Sequence, residues 1–172
     1  MKEQVLVTKE KKIKNSTIDQ QEHDKFYKMA EEWWDPNGKF KTLHKFNPVR
    51  IAFIREKIIT HFNINPKNKN PFNKIKLLDV GCCGGLLCEP MSKLGANVTG
   101  IDIVEKNIKT ASAHSEANNL PIKYMVNTVE DLAEKKTKYD VILNMEVIEH
   151  VSDVSLFIRS CSDLLSENGI MI

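Results

Sequence analysis

The stretch Leu77-Leu78-Asp79-Val80-Gly81-Cys82-Cys83-Gly84-Gly85-Leu86-Leu87 carries a buried-strand pattern directly into glycines and then into a helical pattern. Glycines at such a junction let a ligand approach the bare backbone, and the helix that follows presents unpaired N–H groups there. The stretch therefore predicts a nucleotide-binding turn at the end of a strand.

Strand and helix patterns alternate on the C-terminal side of this turn. Alternation of this kind predicts an α/β fold with a doubly wound, mostly parallel sheet and helices on both faces. The predicted strands are 75–80, 98–102, 122–126, 139–145 and 169–172, and the predicted helices are 85–94, 105–118, 129–133 and 151–165. Because the chain ends inside the fifth predicted strand, an apolar sheet edge would be left unpaired, and we expect a C-terminally truncated fold.

The N-terminal part of the chain predicts helices that precede the sheet. Ser16-Thr17 followed by Gln20 has the form of a capping box, and Asn47-Pro48 has the form of a second helix start. We interpret Trp33 and Trp34 as a staple between the first helix and the main core, with a wall of a substrate pocket as the alternative. The predicted organisation is a disordered tail over 1–15, a helical segment over 16–62, a polar linker with no reason to pack over 63–74 and an incomplete cofactor-binding core over 75–172.

Composition excludes several classes of function. The 25 basic and 23 acidic side chains give a net charge of +2, which argues against a nucleic-acid partner. No apolar run approaches the roughly 18 residues that a membrane span needs. Residues 1–15 lack the apolar region of a secretion signal, and they contain no Arg, which argues against a mitochondrial presequence. The four cysteines do not have disulfide or zinc spacing, and we expect them to be reduced, with a redox or metal role for Cys82 and Cys83 as the alternative.

Two carboxylates narrow the choice of ligand. Asp102 ends the second predicted strand about 20 residues after the glycines, where a carboxylate accepts hydrogen bonds from ribose hydroxyls. Asp79 precedes the glycines and would repel a pyrophosphate, whereas it suits a sulfonium ligand that carries an ammonium group. Asp79 and Asp102 together favour S-adenosylmethionine over NAD as the ligand, and therefore methyl transfer as the reaction. Asp79 has a second interpretation, in which it fixes the glycine turn by accepting backbone N–H bonds.

A further polar group follows the fourth predicted strand. Glu146, Glu149 and His150 have i, i+3, i+4 spacing, which would place all three on one face of a helical turn. Such a set suits a hard divalent ion such as Mg²⁺ if waters or a substrate complete the coordination. A solvated helix start is an equally good interpretation of the spacing.

Five stretches together resemble one known family. They are Trp33-Trp34-Asp35, Leu43-His44 with Asn47-Pro48-Val49-Arg50, the Asp79–Gly85 turn, Val98-Thr99-Gly100-Ile101-Asp102 and Met145-Glu146-Val147-Ile148-Glu149-His150. Over residues 19–172 the chain resembles the ubiquinone-biosynthesis O-methyltransferases. The resemblance implies a Rossmann-like, class I S-adenosylmethionine-dependent methyltransferase that acts on a catechol-type hydroxyl of a polyprenylated ubiquinone precursor.

The resemblance also implies roles for individual residues. Gly81 would form part of the backbone cradle for S-adenosylmethionine, Asp102 would accept from the ribose, Met145 would lie beside the cofactor, and Arg50 would reach the methionine carboxylate. The same resemblance makes Glu146, Glu149 and His150 the ligands of Mg²⁺, with His150 as a catalytic base if it is not bound to metal.

Partners and location follow from the same resemblance. The implied partners are a polyprenylated phenol or catechol substrate, peripheral contact with a membrane and a ubiquinone-synthesis complex. The implied location is the cytoplasm or the inner membrane surface of a bacterium, or the matrix side of the mitochondrial inner membrane in a eukaryote.

The chain departs from the family at the centre of the turn, where Cys83 replaces a glycine. A side chain there would crowd the cofactor or require a backbone dihedral that Cys dislikes. Two other functions stay open, of which Cys83 and the truncated end motivate only the first. One is a non-catalytic scaffold with a methyltransferase fold in a ubiquinone-synthesis complex, and the other is a nicotinamide-dependent dehydrogenase, which Asp79 disfavours.

Overall fold

The computed structural model describes residues 17–172, so the predicted tail over 1–15 and Ser16 of the predicted capping box lie outside the described residues. Within this range the strands are β1 (Lys76–Val80), β2 (Asn97–Asp102), β3 (Lys123–Val126), β4 (Tyr139–Leu143) and β5 (Leu165–Met171). They form one sheet of parallel strands in the order β3-β2-β1-β4-β5. The strand order reverses between β1 and β4, which confirms the predicted doubly wound fold.

Helices cover both faces of the sheet. Short 3₁₀ turns at Ala30–Glu32 and Ile148–His150 supplement the α-helices. The α-helices are α1 (Gln20–Met29), α2 (Lys41–His61), α3 (Cys88–Lys93), α4 (Glu105–Ala117), α5 (Val129–Ala133) and α6 (Val154–Leu164). None of the helices within residues 17–172 combines the length and the apolar content needed to cross a membrane.

The core has two halves because side chains alternate between the faces of each strand. Leu77 belongs to a cluster with Ile54 and Ile58 of α2, whereas its neighbour Leu78 belongs to a cluster with Phe157 of α6. Both strand residues are fully buried, as expected for a parallel sheet covered on both faces. The N-terminal helix α2 therefore shares its core with the sheet.

The helix starts differ from the sequence prediction. Asp19 caps α1 by accepting from the backbone N–H of Gln21 at 2.8 Å, and the Thr17 hydroxyl donates instead to Glu130. α2 begins at Lys41 and continues through Pro48, so the predicted start at Asn47-Pro48 is wrong. The Asn47 side chain does not cap the helix, because its amide donates to the Leu86 carbonyl at 2.9 Å.

The segment between α2 and β1 is not merely a linker. Phe72 is fully buried in the same cluster as Ile54, and its backbone N–H donates to the Leu94 carbonyl at 3.0 Å. The prediction that residues 63–74 do not pack is therefore wrong at this aromatic residue. Ile64 of the same segment also packs against this cluster, and Pro71 is buried.

Candidate functional site

The candidate site lies where the strand order reverses, outside the carboxyl ends of β1 and β4. Two adjoining cavities open there, and one of them has a volume of about 550 Å³. Gly81 and Cys83 line both cavities. Asp102 lines the smaller cavity only, whereas Asp79 and Arg50 line the larger one.

The glycine turn has the strained backbone that its sequence predicts. Gly81 has a φ of +67°, and a side chain there would place a Cβ 2.8 Å from Val147. Cys83 also has a positive φ, +49°, a region that L-residues with a Cβ seldom occupy. The predicted conflict between Cys83 and the backbone of the turn is thus present in the structure.

The tryptophan pair ties the N-terminal helices to this turn. Trp34 Nε1 donates to the Gly84 carbonyl at 2.8 Å, and its ring stacks on His114 at a centroid distance of 3.5 Å. Trp33 is buried, and its Nε1 donates to Asn107 Oδ1 at 2.8 Å. The interpretation of the pair as a staple is confirmed, and Trp33 in addition lines the larger cavity.

Asp102 organises the smaller cavity. Its Oδ2 accepts from the Cys83 backbone N–H at 2.9 Å, and its Oδ1 accepts from the Val104 backbone N–H at 2.8 Å and from Asn107 at 3.3 Å. Burial raises the pKa of Asp102, and the two backbone N–H groups oppose that rise. The carboxylate therefore holds the turn against the end of β2 while it faces the cavity.

Asp79 is a buried carboxyl beside a cation. It is 3% exposed, and burial raises its pKa to about 7 despite the lowering effects of the Cys88 thiol and of Arg50. Its hydrogen-bond donor is the Cys88 thiol at 3.1 Å, rather than the backbone N–H groups of the glycine turn that the second interpretation required. Burial also raises the pKa of Cys82, Cys83 and Cys88, and all four cysteines are free thiols, as predicted.

Arg50 reaches the site from the middle of α2. Its Nε is buried and has no hydrogen-bond partner among the described residues. An unpaired buried donor is costly unless a ligand satisfies it. Together with Asp79 it offers an anion-binding and a cation-binding group in one cavity, and Met145 lines the same cavity.

The group after β4 is arranged differently from the prediction. Glu146 has a φ of +60°, so it does not share a helical turn with Glu149 and His150. His150 Nδ1 lies 3.0 Å from Glu22 Oε2 of α1, and its Nε2 lies 4.0 Å from Glu149 Oε1. Across residues 17–172 no three His, Cys, Asp or Glu side chains are placed to hold a metal ion. The predicted Mg²⁺ ligands do not fit a metal in this arrangement, and the metal stays a prediction.

Sequence reasoning missed two groups of contacts beside the site, one made by Glu22 and one made by residues 17–18. Glu22 meets His150 across most of the length of the chain, and no local pattern connects them. Thr17 meets Glu130 at 2.9 Å, Ser152 donates to the Thr17 carbonyl, and Ile18 bridges to Val151. Residues 17–19 thereby cross the smaller cavity, which they help to line.

Comparisons with known proteins agree with this geometry. A family model described as a methyltransferase domain matches residues 78–172. A ubiquinone biosynthesis O-methyltransferase from Bartonella tribocorum is 53% identical over 156 residues, which are 91% of this chain and 63% of that protein. One from Pelagibacter ubique is 56% identical over 91% of this chain and 64% of that protein. The resemblance stated from the motifs is confirmed, and the chain spans less than two thirds of the length of these relatives.

Solved structures support the fold. An S-adenosylmethionine-dependent methyltransferase from Clostridium acetobutylicum has a TM-score of 0.60 at 18% identity, covering 87% of this chain and 55% of that one. Magnesium protoporphyrin IX methyltransferase from Synechocystis, with bound S-adenosylmethionine, has a TM-score of 0.62 at 21% identity. The match covers 83% of this chain and 66% of that one. At these identities the likeness concerns the architecture alone.

Proposed function

The chain belongs to the methyltransferase-domain family, and from that premise we propose that it transfers a methyl group from S-adenosylmethionine to a catechol-type hydroxyl of a polyprenylated ubiquinone precursor. One observation carries the proposal. Asp79 and Arg50 line the larger cavity and Asp102 lines the smaller one, while Gly81 and Cys83 line both. The relatives are named ubiquinone biosynthesis O-methyltransferases, which supports an oxygen acceptor in that biosynthesis.

The residues present fit S-adenosylmethionine. Arg50 Nε is a buried donor without a partner, which suits a carboxylate, and Asp79 is a buried acceptor, which suits an ammonium group. Asp102 lines the smaller cavity, which remains for the ribose, and Met145 lines the larger one. Gly81 lies between them, with Val147 where a Cβ would be. When bound, the cofactor supplies an electrophilic methyl group on a sulfonium.

His150 is the proposed catalytic base. It lines both cavities, and Glu22 at 3.0 Å from Nδ1 holds the ring so that Nε2 is left to take a proton. With the cofactor bound, the role of Nε2 would be to take the proton that the acceptor hydroxyl gives up on methylation. Mg²⁺ is the alternative prediction, but no step is assigned to it because Glu146, Glu149 and His150 do not converge.

The larger cavity suits an aromatic substrate. Aromatic and aliphatic side chains line it beside Arg50 and His150, namely Phe26, Trp33, Phe40, Leu43, Phe46 and Leu86. A volume of about 550 Å³ holds a substituted ring, whereas a long prenyl tail must extend outside it. We extend the proposal accordingly to peripheral contact with a bacterial inner membrane or the matrix side of the mitochondrial one, and to work within a ubiquinone-synthesis complex.

A scaffold without catalysis is the second candidate. The observation that favours it is Cys83 at φ +49°, with its side chain on the wall that both cavities share. The third hypothesis, a nicotinamide-dependent dehydrogenase, is disfavoured because Asp79 lines the larger cavity beside Gly81 and its carboxylate would repel a pyrophosphate.

The test measures cofactor binding and methyl transfer separately. S-adenosylmethionine should raise the melting temperature, Asp102→Ala should abolish that shift, and Asp163→Ala, an exposed carboxylate on α6, should retain it. Transfer of a labelled methyl group to a short-chain prenylated catechol should follow. Binding without transfer would favour the scaffold, and the absence of any shift in the unmodified protein would contradict both the cofactor and the activity.

A further inference from the structure

Cys88, the first residue of α3, is a fully buried thiol that contacts a carboxyl of the candidate site. Its Sγ lies 3.1 Å from Asp79 Oδ2, and Asp79 is buried as well. Asp79 lines the larger cavity, whereas Cys88 lines neither of the two cavities. Any effect of Cys88 on a molecule in the larger cavity must therefore act through the Asp79 carboxyl.

The thiol is the donor in this contact. Burial raises the pKa of Cys88 to about 12, so the sulfur keeps its proton at neutral pH. Oδ2 of Asp79 accepts the bond, and Oδ1 accepts no hydrogen bond from residues 17–172. A thiol is a weaker donor than a hydroxyl or an amide N–H. The bond therefore fixes one oxygen of Asp79, leaves the other without a donor, and stabilises the ionised carboxyl only modestly.

Other groups around Asp79 also affect its charge. Burial has the largest effect and raises the pKa of Asp79 to about 7. The Cys88 thiol and Arg50 of α2 lower this pKa, whereas Asp102 of β2 raises it. The remaining titratable groups that face Asp79 are neutral because burial raises their pKa values, and they are Cys82, Cys83 and Tyr124 of β3. Replacing Cys88 thus changes the hydrogen bond to Asp79 without adding or removing a charge.

We propose that Cys88 is a positioning residue for a cationic ligand, whose thiol holds Asp79 Oδ2 and leaves Oδ1 to accept from an ammonium group in the larger cavity. The choice of S-adenosylmethionine as that ligand rests on the proposed function, whereas the bond between Cys88 and Asp79 does not. Only the ionised carboxyl attracts a cation. The affinity for the ligand should therefore rise with pH until Asp79 is ionised, and Cys88 helps to set the pH at which the rise ends.

Calorimetry with S-adenosylmethionine between about pH 5 and 8 tests the role of the thiol. The Kd of the unmodified chain should fall by about tenfold per pH unit below about pH 7 and be constant above it. Cys88→Ser supplies a stronger donor, so it should bind several-fold more tightly at about pH 6 and equally at about pH 8. Cys88→Ala has no donor and should bind several-fold more weakly at about pH 6. Cys161→Ser, which changes a fully buried thiol in the other half of the core, should match the unmodified chain.

A second ligand separates positioning from packing. 5′-Methylthioadenosine keeps the adenosine part of the cofactor but has no ammonium group. Its Kd should change neither with pH over this range nor with the substitutions at Cys88. If Cys88→Ala weakened its binding as much as that of S-adenosylmethionine, the thiol would support the site only by packing, and the proposal would be overturned.

Urea denaturation without ligand gives a readout that does not depend on the proposed function. The loss of stability with rising pH that Asp79 causes should end at a lower pH in Cys88→Ser and at a higher pH in Cys88→Ala than in the unmodified chain. A uniform loss of stability at every pH in both variants would overturn the proposal. Failure of the unmodified chain to bind S-adenosylmethionine at any pH would contradict the proposed function, while the urea profiles would still decide whether Cys88 controls Asp79.

Discussion

The Cys83 backbone N–H donates to Asp102 Oδ2 at 2.9 Å even though Cys83 adopts a φ of +49°. The bond joins the centre of the glycine turn to the end of β2, and Cys83 lines both cavities. A left-handed conformation costs a residue with a Cβ roughly 1 kcal/mol. The structure retains the bond in spite of that cost.

Replacing Cys83 with glycine should relieve this strain. We expect Cys83→Gly to raise the free energy of unfolding by about 1 kcal/mol, measured by urea denaturation. The Kd for S-adenosylmethionine, measured by calorimetry, should fall several-fold because the side chain leaves the shared wall. Cys83→Ala is the matched control, since it removes the thiol but keeps the Cβ. If Cys83→Gly and Cys83→Ala had equal free energies of unfolding, the φ of +49° would not be the cause of the stabilisation by glycine.

The buried carboxyl of Asp79 should make stability depend on pH. Its pKa is about 7 in the folded chain against an ordinary value of 3.8, so between these two pH values the folded state holds a proton that the unfolded state has released. The contribution of protonated Asp79 to the free energy of unfolding is fully present below about pH 4. It is lost as the pH rises to about 7, at up to roughly 1.4 kcal/mol per pH unit. Above that pH the contribution of Asp79 is constant.

Comparison with an amide isolates this effect from other titrating groups. Asp79→Asn should unfold with a weaker pH dependence between about pH 4 and 7 and should be more stable than the unmodified chain at pH 8 without ligand. The same variant should bind S-adenosylmethionine more weakly, because the amide carries no charge for the ammonium group. Parallel stability curves for the two proteins, measured by urea denaturation, would show that the carboxyl is ionised throughout.

The parts of the structure that sequence predicts are those that depend on local patterns. β1 and β2 follow from apolar runs, and Asp102 follows from its position at the end of one of them. The start of α2 could not be predicted, because Asn47 uses its amide on Leu86, far along the chain, instead of capping a helix. The Glu22–His150 contact likewise depends on how α1 docks, which no local spacing encodes.

The staple between Trp34 and the turn should support cofactor binding. Trp34→Phe keeps an aromatic ring on His114 but leaves the Gly84 carbonyl without its donor at 2.8 Å. We expect a loss of about 1 kcal/mol in unfolding free energy and a roughly fivefold weaker Kd for S-adenosylmethionine. Tyr27→Phe, a change on α1 at a half-exposed ring, is the control and should alter neither quantity. Destabilisation with an unchanged Kd would limit the staple to folding.

The pair formed by Glu22 and His150 should affect turnover rather than cofactor binding. His150→Gln removes the proposed base, and we expect kcat to fall at least ~100-fold while the Kd for S-adenosylmethionine is unchanged. Glu22→Gln keeps the shape of the partner but weakens its hold on Nδ1 at 3.0 Å, and should lower kcat by about tenfold. Glu31→Gln is the matched control, because Glu31 pairs with Lys106 outside both cavities.

Removal of metal distinguishes the base from the predicted Mg²⁺ site. A base oriented by Glu22 requires no metal, so methyl transfer should persist in the presence of a chelator, and Glu149→Gln should have little effect. If chelation abolished transfer, Mg²⁺ restored it, and Glu146→Gln and Glu149→Gln each lost it, then the metal prediction would hold. In that case Glu146 must leave its φ of +60° to join the other two side chains, and His150 must exchange Glu22 for the ion.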